Sequence, residues 1–202
     1  MPRVPPFDRP ATYDDLVALP DIQTGEIVDG ELHASPRPAP RHALAETAIG
    51  DALRLPYHRG RGGPGGWLIL VEPELHLLGD VLVPDWAGWR KSRMPSVPQT
   101  AYFAVAPDWV CEVLSPSTAS LDRAKKLRIY AREGVGHAWL VDPVARTLEV
   151  LRLEGGRWSI LATHLGDEVV RVEPFVEVEF ELASLWWDEE PEATTGAAEC
   201  HD

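Results

Sequence analysis

The stretch Asp108-Trp109-Val110-Cys111-Glu112-Val113-Leu114 sets a carboxylate in the middle of an apolar run bracketed by Pro107 and Ser115-Pro116. Read as a strand, its alternation sends Val110, Glu112 and Leu114 to one face and Trp109, Cys111 and Val113 to the other. Glu112 therefore shares a face with core residues. An ionised carboxylate placed there needs a cation, a metal or hydrogen-bond donors, or its pKa climbs until it is neutral. Any fold of this chain must bring a partner to Glu112, which makes it the first functional candidate. Downstream, Ser117 or Thr118 can cap a helix with Ala124, Leu127 and Ala131 as its apolar stripe and Gly134 as its stop. That helix carries Lys126. The nearly continuous apolar segment 137–141 then reads as a central strand covered on both faces.

The remaining punctuation fills in the architecture. Thr12-Tyr13-Asp14-Asp15 has the form of a capping box for a short helix ending at Leu19. Asp29-Gly30, which tolerates positive φ, joins residues 26–28 to 31–33 as a hairpin. A proline-rich spacer over 35–40 precedes a second helix over about 41–55, with Leu44, Ala48, Ala52 and Leu55 at helical spacing. The glycine-rich loop 60–66 lacks the Gly-Lys-Ser/Thr ending of a phosphate cradle and reads as a connection. Strands are expected at 67–77, 81–89 and 109–114, and a meander at 147–153 and 158–163 across Gly155-Gly156. The fold class is α/β: a core of helix, three strands, helix and strand, with an N-terminal hairpin and a C-terminal β meander. Residues 12–187 read as a single domain, between a tail at 1–11 and an acidic, disordered tail at 188–202.

Charge and cysteine usage narrow the function classes. The net charge of −13 argues against a nucleic-acid partner. Its distribution weakens that objection, because residues 172–202 hold ten acids and no Lys or Arg, leaving 22 acids against 19 bases in residues 1–171. The bases cluster at Arg54, Arg59 and Arg61, at Arg90, Lys91 and Arg93, and along the helix of Lys126; each cluster alone fits a solvated, ion-paired surface equally well. Cys111 and Cys200 lie in settings too different for a structural disulfide, and no apolar run approaches the length of a membrane span. The chain reads as cytoplasmic, with no membrane partner.

Three side chains in this order can meet. Asp85 follows Pro84 where the second core strand ends or bends, Glu112 lies on the neighbouring strand, and Lys126 sits two turns into the next helix. Carboxylates on adjacent strands can share a divalent cation, and hard oxygen ligands without a Cys/His cluster favour Mg²⁺ or Mn²⁺. Glu74, Glu46 and His42 are weaker candidates, the last two sharing a helix face as a plain i,i+4 pair would.

Residues 107–118, then 122–135, then Trp139-Leu140-Val141-Asp142-Pro143 resemble the Uma-type restriction endonuclease family of the PD-(D/E)XK nuclease superfamily. Residues 26–32, Ser35-Pro36, Arg41-His42 and Val83-Pro84-Asp85 are similar to its pattern too, so the resemblance covers roughly 12–185. It implies an endonuclease-like core, a Mg²⁺ site on Asp85 and Glu112, DNA as substrate and a homodimer. A strict motif would set Lys two residues after Glu112, where Leu114 stands; the resemblance moves that role to Lys126, with Lys125 as second choice. The expected function is a Mg²⁺-dependent DNA endonuclease with catalytic Asp85, Glu112 and Lys126. The alternative is a catalytically silent nuclease fold serving as a binding or assembly module, with the acid and the lysine pairing structurally; taken singly, Asp85 could accept backbone bonds in a turn after Pro84 and Glu112 could pair with Arg123 or Arg128.

Overall fold

The structure, a computed structural model, describes residues 9–20 and 22–186. A short helix α1 (Tyr13–Val17) opens it, with the Asp15 carboxylate accepting the Thr12 N–H at 2.8 Å as the capping box requires. The hairpin of β1 (Gln23–Val28) and β2 (Glu31–Pro36) turns through Asp29 (φ 53°) and Gly30 (φ 75°), the pair of positive values that a two-residue turn needs. Helix α2 (Pro40–Leu53) starts on a proline, where the missing N–H costs nothing, and runs on through a π-helical turn at Arg54–His58.

The core strands depart from the expected pattern. Instead of two long strands there are four short ones: β3 (Trp67–Val71), β4 (Leu75–Leu77), β5 (Asp80–Leu82) and β6 (Trp86–Arg90). β3 and β6 pair in the main sheet, whereas β4 and β5 join the hairpin in a four-stranded sheet ordered β2-β1-β5-β4. The break comes at Glu72, whose φ of 42° is left-handed, and at Pro73 and Pro84, which cannot donate to a ladder. A bond from the Glu72 N–H to the Asp85 carbonyl at 2.9 Å closes this corner. Proline and a carboxylate interrupt an otherwise apolar pattern here, and alternation alone does not see the change of sheet.

The main sheet is completed by β7 (Trp109–Val113), β8 (His137–Asp142), β9 (Thr147–Glu154) and β10 (Arg157–Leu165), in the order β10-β9-β8-β7-β6-β3. Only β7 and β8 run parallel, and the connection between them is helical, as a parallel crossover demands. It consists of α3 (Ala119–Leu121), a π-helical turn at Asp122–Lys126 and α4 (Leu127–Arg132). The π turn rotates the helix relative to an ideal pitch. As a result Ala124, expected in the apolar stripe, is exposed, while Asp122 and Lys126 are turned inward. A last hairpin, β11 (Val169–Val172) with β12 (Phe175–Glu181), lies outside the expected meander.

Each face of the main sheet has its own core. Ile49 and Leu53 of α2 pack with Trp86, Trp109, Cys111, Val113, Trp139 and Phe175 on one side. On the other, Val110, Leu114 and Leu140 pack with Ile129 and Tyr130 of α4 and with Leu75 and Leu82 of the small sheet. Trp109, Trp139 and Phe175 meet edge to face, with centroids 5.0–5.6 Å apart, a geometry worth about 1 kcal/mol per pair beyond area burial. Alternation along β7 is borne out: its odd residues feed the first core, and Glu112 lies on the α3/α4 side. No helix among the described residues is long and apolar enough to cross a membrane. The tail at 188–202, Cys200 and most of the tail at 1–11 lie outside the described residues.

Candidate active site

Asp85, Glu112 and Lys126 line one cleft of about 310 Å³, together with Glu26, His42, Asp122 and the 115–118 turn. Three elements deliver them. Asp85 comes from the corner between the two sheets, Glu112 from central strand β7, and Lys126 from the π turn. Since Trp86 pairs with Cys111, continuing the antiparallel register sets Asp85 opposite Glu112.

Glu112 is buried, and both of its carboxylate oxygens have partners. Lys126 Nζ lies 2.9 Å from its carboxylate oxygens, and the Tyr130 hydroxyl donates to Oε1 at 2.6 Å. Neither Arg123 nor Arg128 is involved; they pair with Glu149 and Asp29. Lys126 is only 3% exposed and sees two more carboxylates, Glu26 at 3.0 Å and Asp122 at 3.5 Å. Lys125 points elsewhere, to Glu31 at 2.6 Å. Asp85 is held from both sides: His42 Nε2 is 2.9 Å from Oδ1, and the Val113 N–H donates to Oδ2 at 2.5 Å.

The electrostatics follow from three buried acids sharing one lysine. Burial pushes the Glu112 carboxyl well above its ordinary range, Lys126 pulls it back, and Asp122, Asp85 and Glu26 push it up again. Asp122 is raised to about 6, first by burial. Burial would lower Lys126, but Glu112, Glu26 and Asp122 overcome it and hold the ammonium above the usual lysine value. Burial likewise opposes protonation of His42, yet the bond to Asp85 raises it. Glu46, one turn along α2 from His42, is pushed to about 7 by burial and by Asp85 and Glu72. Four carboxyl groups, Glu26, Asp85, Glu112 and Asp122, thus share the cleft with one ammonium, Lys126, and one imidazole, His42.

Hard carboxyl oxygens that outnumber the cationic groups beside them fit a divalent cation. Among the described residues, no three His, Cys, Asp or Glu side chains form a ready-made metal cage. Mg²⁺ does not require one, because it keeps several waters and binds through one or two carboxylates. Asp85 and Glu112 each retain unused lone pairs beyond the bonds described.

His42 comes from the weaker candidates and joins the cleft through Asp85, whereas Glu74 does not: it binds the Tyr13 hydroxyl at 2.9 Å and His76 at 2.7 Å. Glu26, Asp122 and Tyr130 received no role from the sequence. For the last two the signal was present, since Asp122, Lys126 and Tyr130 recur every four residues and so share a helix face.

The sequence profile of the Uma2 family, described as putative restriction endonucleases, matches residues 10–184. The chain belongs to the Uma2 family. Among solved structures, it is similar to a crystal structure of a putative nuclease of the DUF820 group from Anabaena variabilis, with 23% identity, a TM-score of 0.65, and coverage of 87% of this chain and 97% of that one. No curated protein matches. The Uma2 core here is the restriction-endonuclease-like arrangement: α2, then β3, β6 and β7, then α3 and α4, then β8, with a hairpin before it and β strands after.

Proposed function

We propose that this chain is a Mg²⁺- or Mn²⁺-dependent endonuclease that hydrolyses phosphodiester bonds of DNA, with one active site per chain. The observation that carries this is the single cleft in which Asp85, Glu112 and Lys126 meet with an excess of carboxylate. Asp85 and Glu112 would hold the metal. A divalent cation at such a site supplies Lewis-acid polarisation of a phosphoryl oxygen and a lower pKa for attacking water. His42 and the Val113 N–H fix Asp85, and Tyr130 and Lys126 fix the Glu112 rotamer. Against burial, Glu112, Glu26 and Asp122 raise the pKa of Lys126, and its ammonium would act by charge, orienting Glu112 and offsetting negative charge on the phosphate.

The test is cleavage of supercoiled plasmid with Mg²⁺ or Mn²⁺. Wild type should nick it, Glu112→Gln should cut at least about 100-fold more slowly, and Lys126→Ala should also be impaired. Metal-dependent cutting that survives Glu112→Gln would overturn the assignment. Under the catalytic reading, Glu112→Gln loses metal binding with little change in stability.

A binding or assembly module is the second reading, favoured by the partners that both Glu112 oxygens already have. In that case Glu112→Gln destabilises the fold and no metal-dependent heat of binding appears in calorimetry with wild type. We further propose a homodimer, since cutting both strands needs two sites and the chain has one. A single domain over 12–187 and a cytoplasmic location belong to the same proposal.

A further inference from the structure

The helix that holds Lys126 is rich in bases, but they are spent inside the molecule. Arg123 pairs with Glu149, Lys125 with Glu31, Arg128 with Asp29 and Arg132 with Asp80. The situation differs on the other side of the sheet. Arg54 and Arg59, in and just after the π turn that ends α2, are exposed and make no ion pair among the described residues.

These two arginines border a second cleft of about 470 Å³ between α2 and β3, which also meets Glu46, Asp51 and Trp86. It adjoins the active-site cleft through shared lining residues. Glu72 lines both the active-site cleft and an intervening hollow of about 360 Å³ along β3, and Arg54 and Val71 line both that hollow and the second cleft. β3 is the edge strand of the main sheet, so nothing within the sheet covers this path. Arg54 and Arg59 share the second cleft with Asp51 and Glu46, whereas the active-site cleft holds Asp85, Glu112, Glu26 and Asp122. Burial, and after it the charges of Arg54, Lys91 and Arg59, hold the His58 imidazole below its usual pKa, which marks those three cations as neighbours. Lys91 is anchored there by donating to the His58 carbonyl at 3.2 Å. Glu46, raised to about 7, is partly protonated at neutral pH and opposes an anion less than its type suggests.

We infer that DNA runs from the active-site cleft along edge strand β3, with Arg54 and Arg59 binding backbone phosphates beside the scissile one. The inference rests on the proposed nuclease function and assigns the path of its substrate. Arg54 and Arg59 are positioning residues in this scheme: their charge fixes the strand and does not touch the reacting atoms.

The experiment is fluorescence anisotropy of a short labelled DNA duplex with the full chain, without metal so that nothing is cut, over a range of salt concentrations. Arg54→Ala with Arg59→Ala should weaken binding and reduce the slope of log K against log salt by about 0.9 for each phosphate no longer neutralised. Arg54→Lys with Arg59→Lys should restore most of that slope. Arg123→Ala, which removes an ion-paired base of the other helix, should leave it unchanged. Both arginines are exposed, so the variants fold. A wild-type slope in the double alanine variant, or an equal loss in Arg123→Ala, overturns the path while leaving the nuclease reading intact. Salt-dependent binding that falls as stated, without any cutting when metal is added, overturns the nuclease reading and keeps the two arginines as phosphate-binding groups. A wild-type chain that does not bind the duplex overturns the path outright.

Discussion

At the scale of single residues, the cleft is a problem of three acids and one amine out of water. Breaking such a group on its minority side should cost most. Lys126→Ala leaves Glu112, Glu26 and Asp122 facing one another without a cation, and a loss on the order of 3–5 kcal/mol is expected in urea unfolding at neutral pH. Lowering the pH should recover part of it, because the stranded acids can then take up protons.

Asp122 gives a second expectation, with a definite sign. Its carboxyl titrates near 6 in the folded protein against an ordinary 3.8, so between those values the native state keeps a proton that the unfolded chain has released. This group's contribution therefore favours the fold at low pH and declines as pH rises from about 4 to about 6, then stays flat. Asp122→Asn removes that decline. The stability of the variant relative to wild type should improve across this window by at most about 3 kcal/mol, the value of the full shift. A difference between the two proteins that does not vary with pH would show that Asp122 is not the titrating group.

At the scale of elements, the position of α2 decides whether His42 reaches Asp85. The helix lies close because Gly50 has no side chain: a Cβ there would stand 2.6 Å from the ring of Trp86. Gly50→Ala must push helix and indole apart, and overpacking of this kind costs about 1–3 kcal/mol. We expect a lower Tm and a weaker His42–Asp85 bond, seen as a downward shift of the His42 pKa in an NMR titration. Trp86 is held from the same helix, its indole N–H donating to the Glu46 carbonyl at 3.0 Å, so the ring has little room to yield.

The elements also divide into those that could be read in advance and those that could not. The hairpin at Asp29-Gly30, β7 with its inward Glu112, and β8 followed from alternation and turn chemistry, which are local. The π turn did not, since it is one residue of extra winding that local helix signals do not mark; it faces Lys126 towards three carboxylates. Nor did the splitting of the core strands between two sheets, because β3 and β4 look like one continuous strand until β1 appears as a partner for β5. In the cleft, Asp85, Glu112 and Lys126 were named from their order along the chain together with the family resemblance, whereas Glu26 was missed. It enters through a distant contact, accepting the Val83 N–H at 2.8 Å, which nothing near it in sequence announces.

At the scale of the whole molecule, charge is unevenly distributed. Residues 188–202 carry six acids and no Lys or Arg, whereas residues 1–187 carry 26 acids against 19 bases. A polyanion tethered to a DNA-binding body competes with the substrate for its cations. Deleting residues 188–202 should tighten DNA binding, most visibly at low salt where screening is weakest, and anisotropy titrations would show it. Unchanged affinity would assign the tail no part in substrate access.

The corner at Glu72 and Asp85 ties these scales together. Two strands leave the main sheet there and enter the small one, so the aspartate stands on the seam between the two sheets, and its carboxylate is moored to each side of the seam's larger partner by α2 and by β7. A tilt of the small sheet reaches this side chain together with Glu26, which β1 of that sheet carries into the same cleft. Ligands or substitutions that act on the N-terminal hairpin thereby bear on the cleft twice, at the seam and through Glu26.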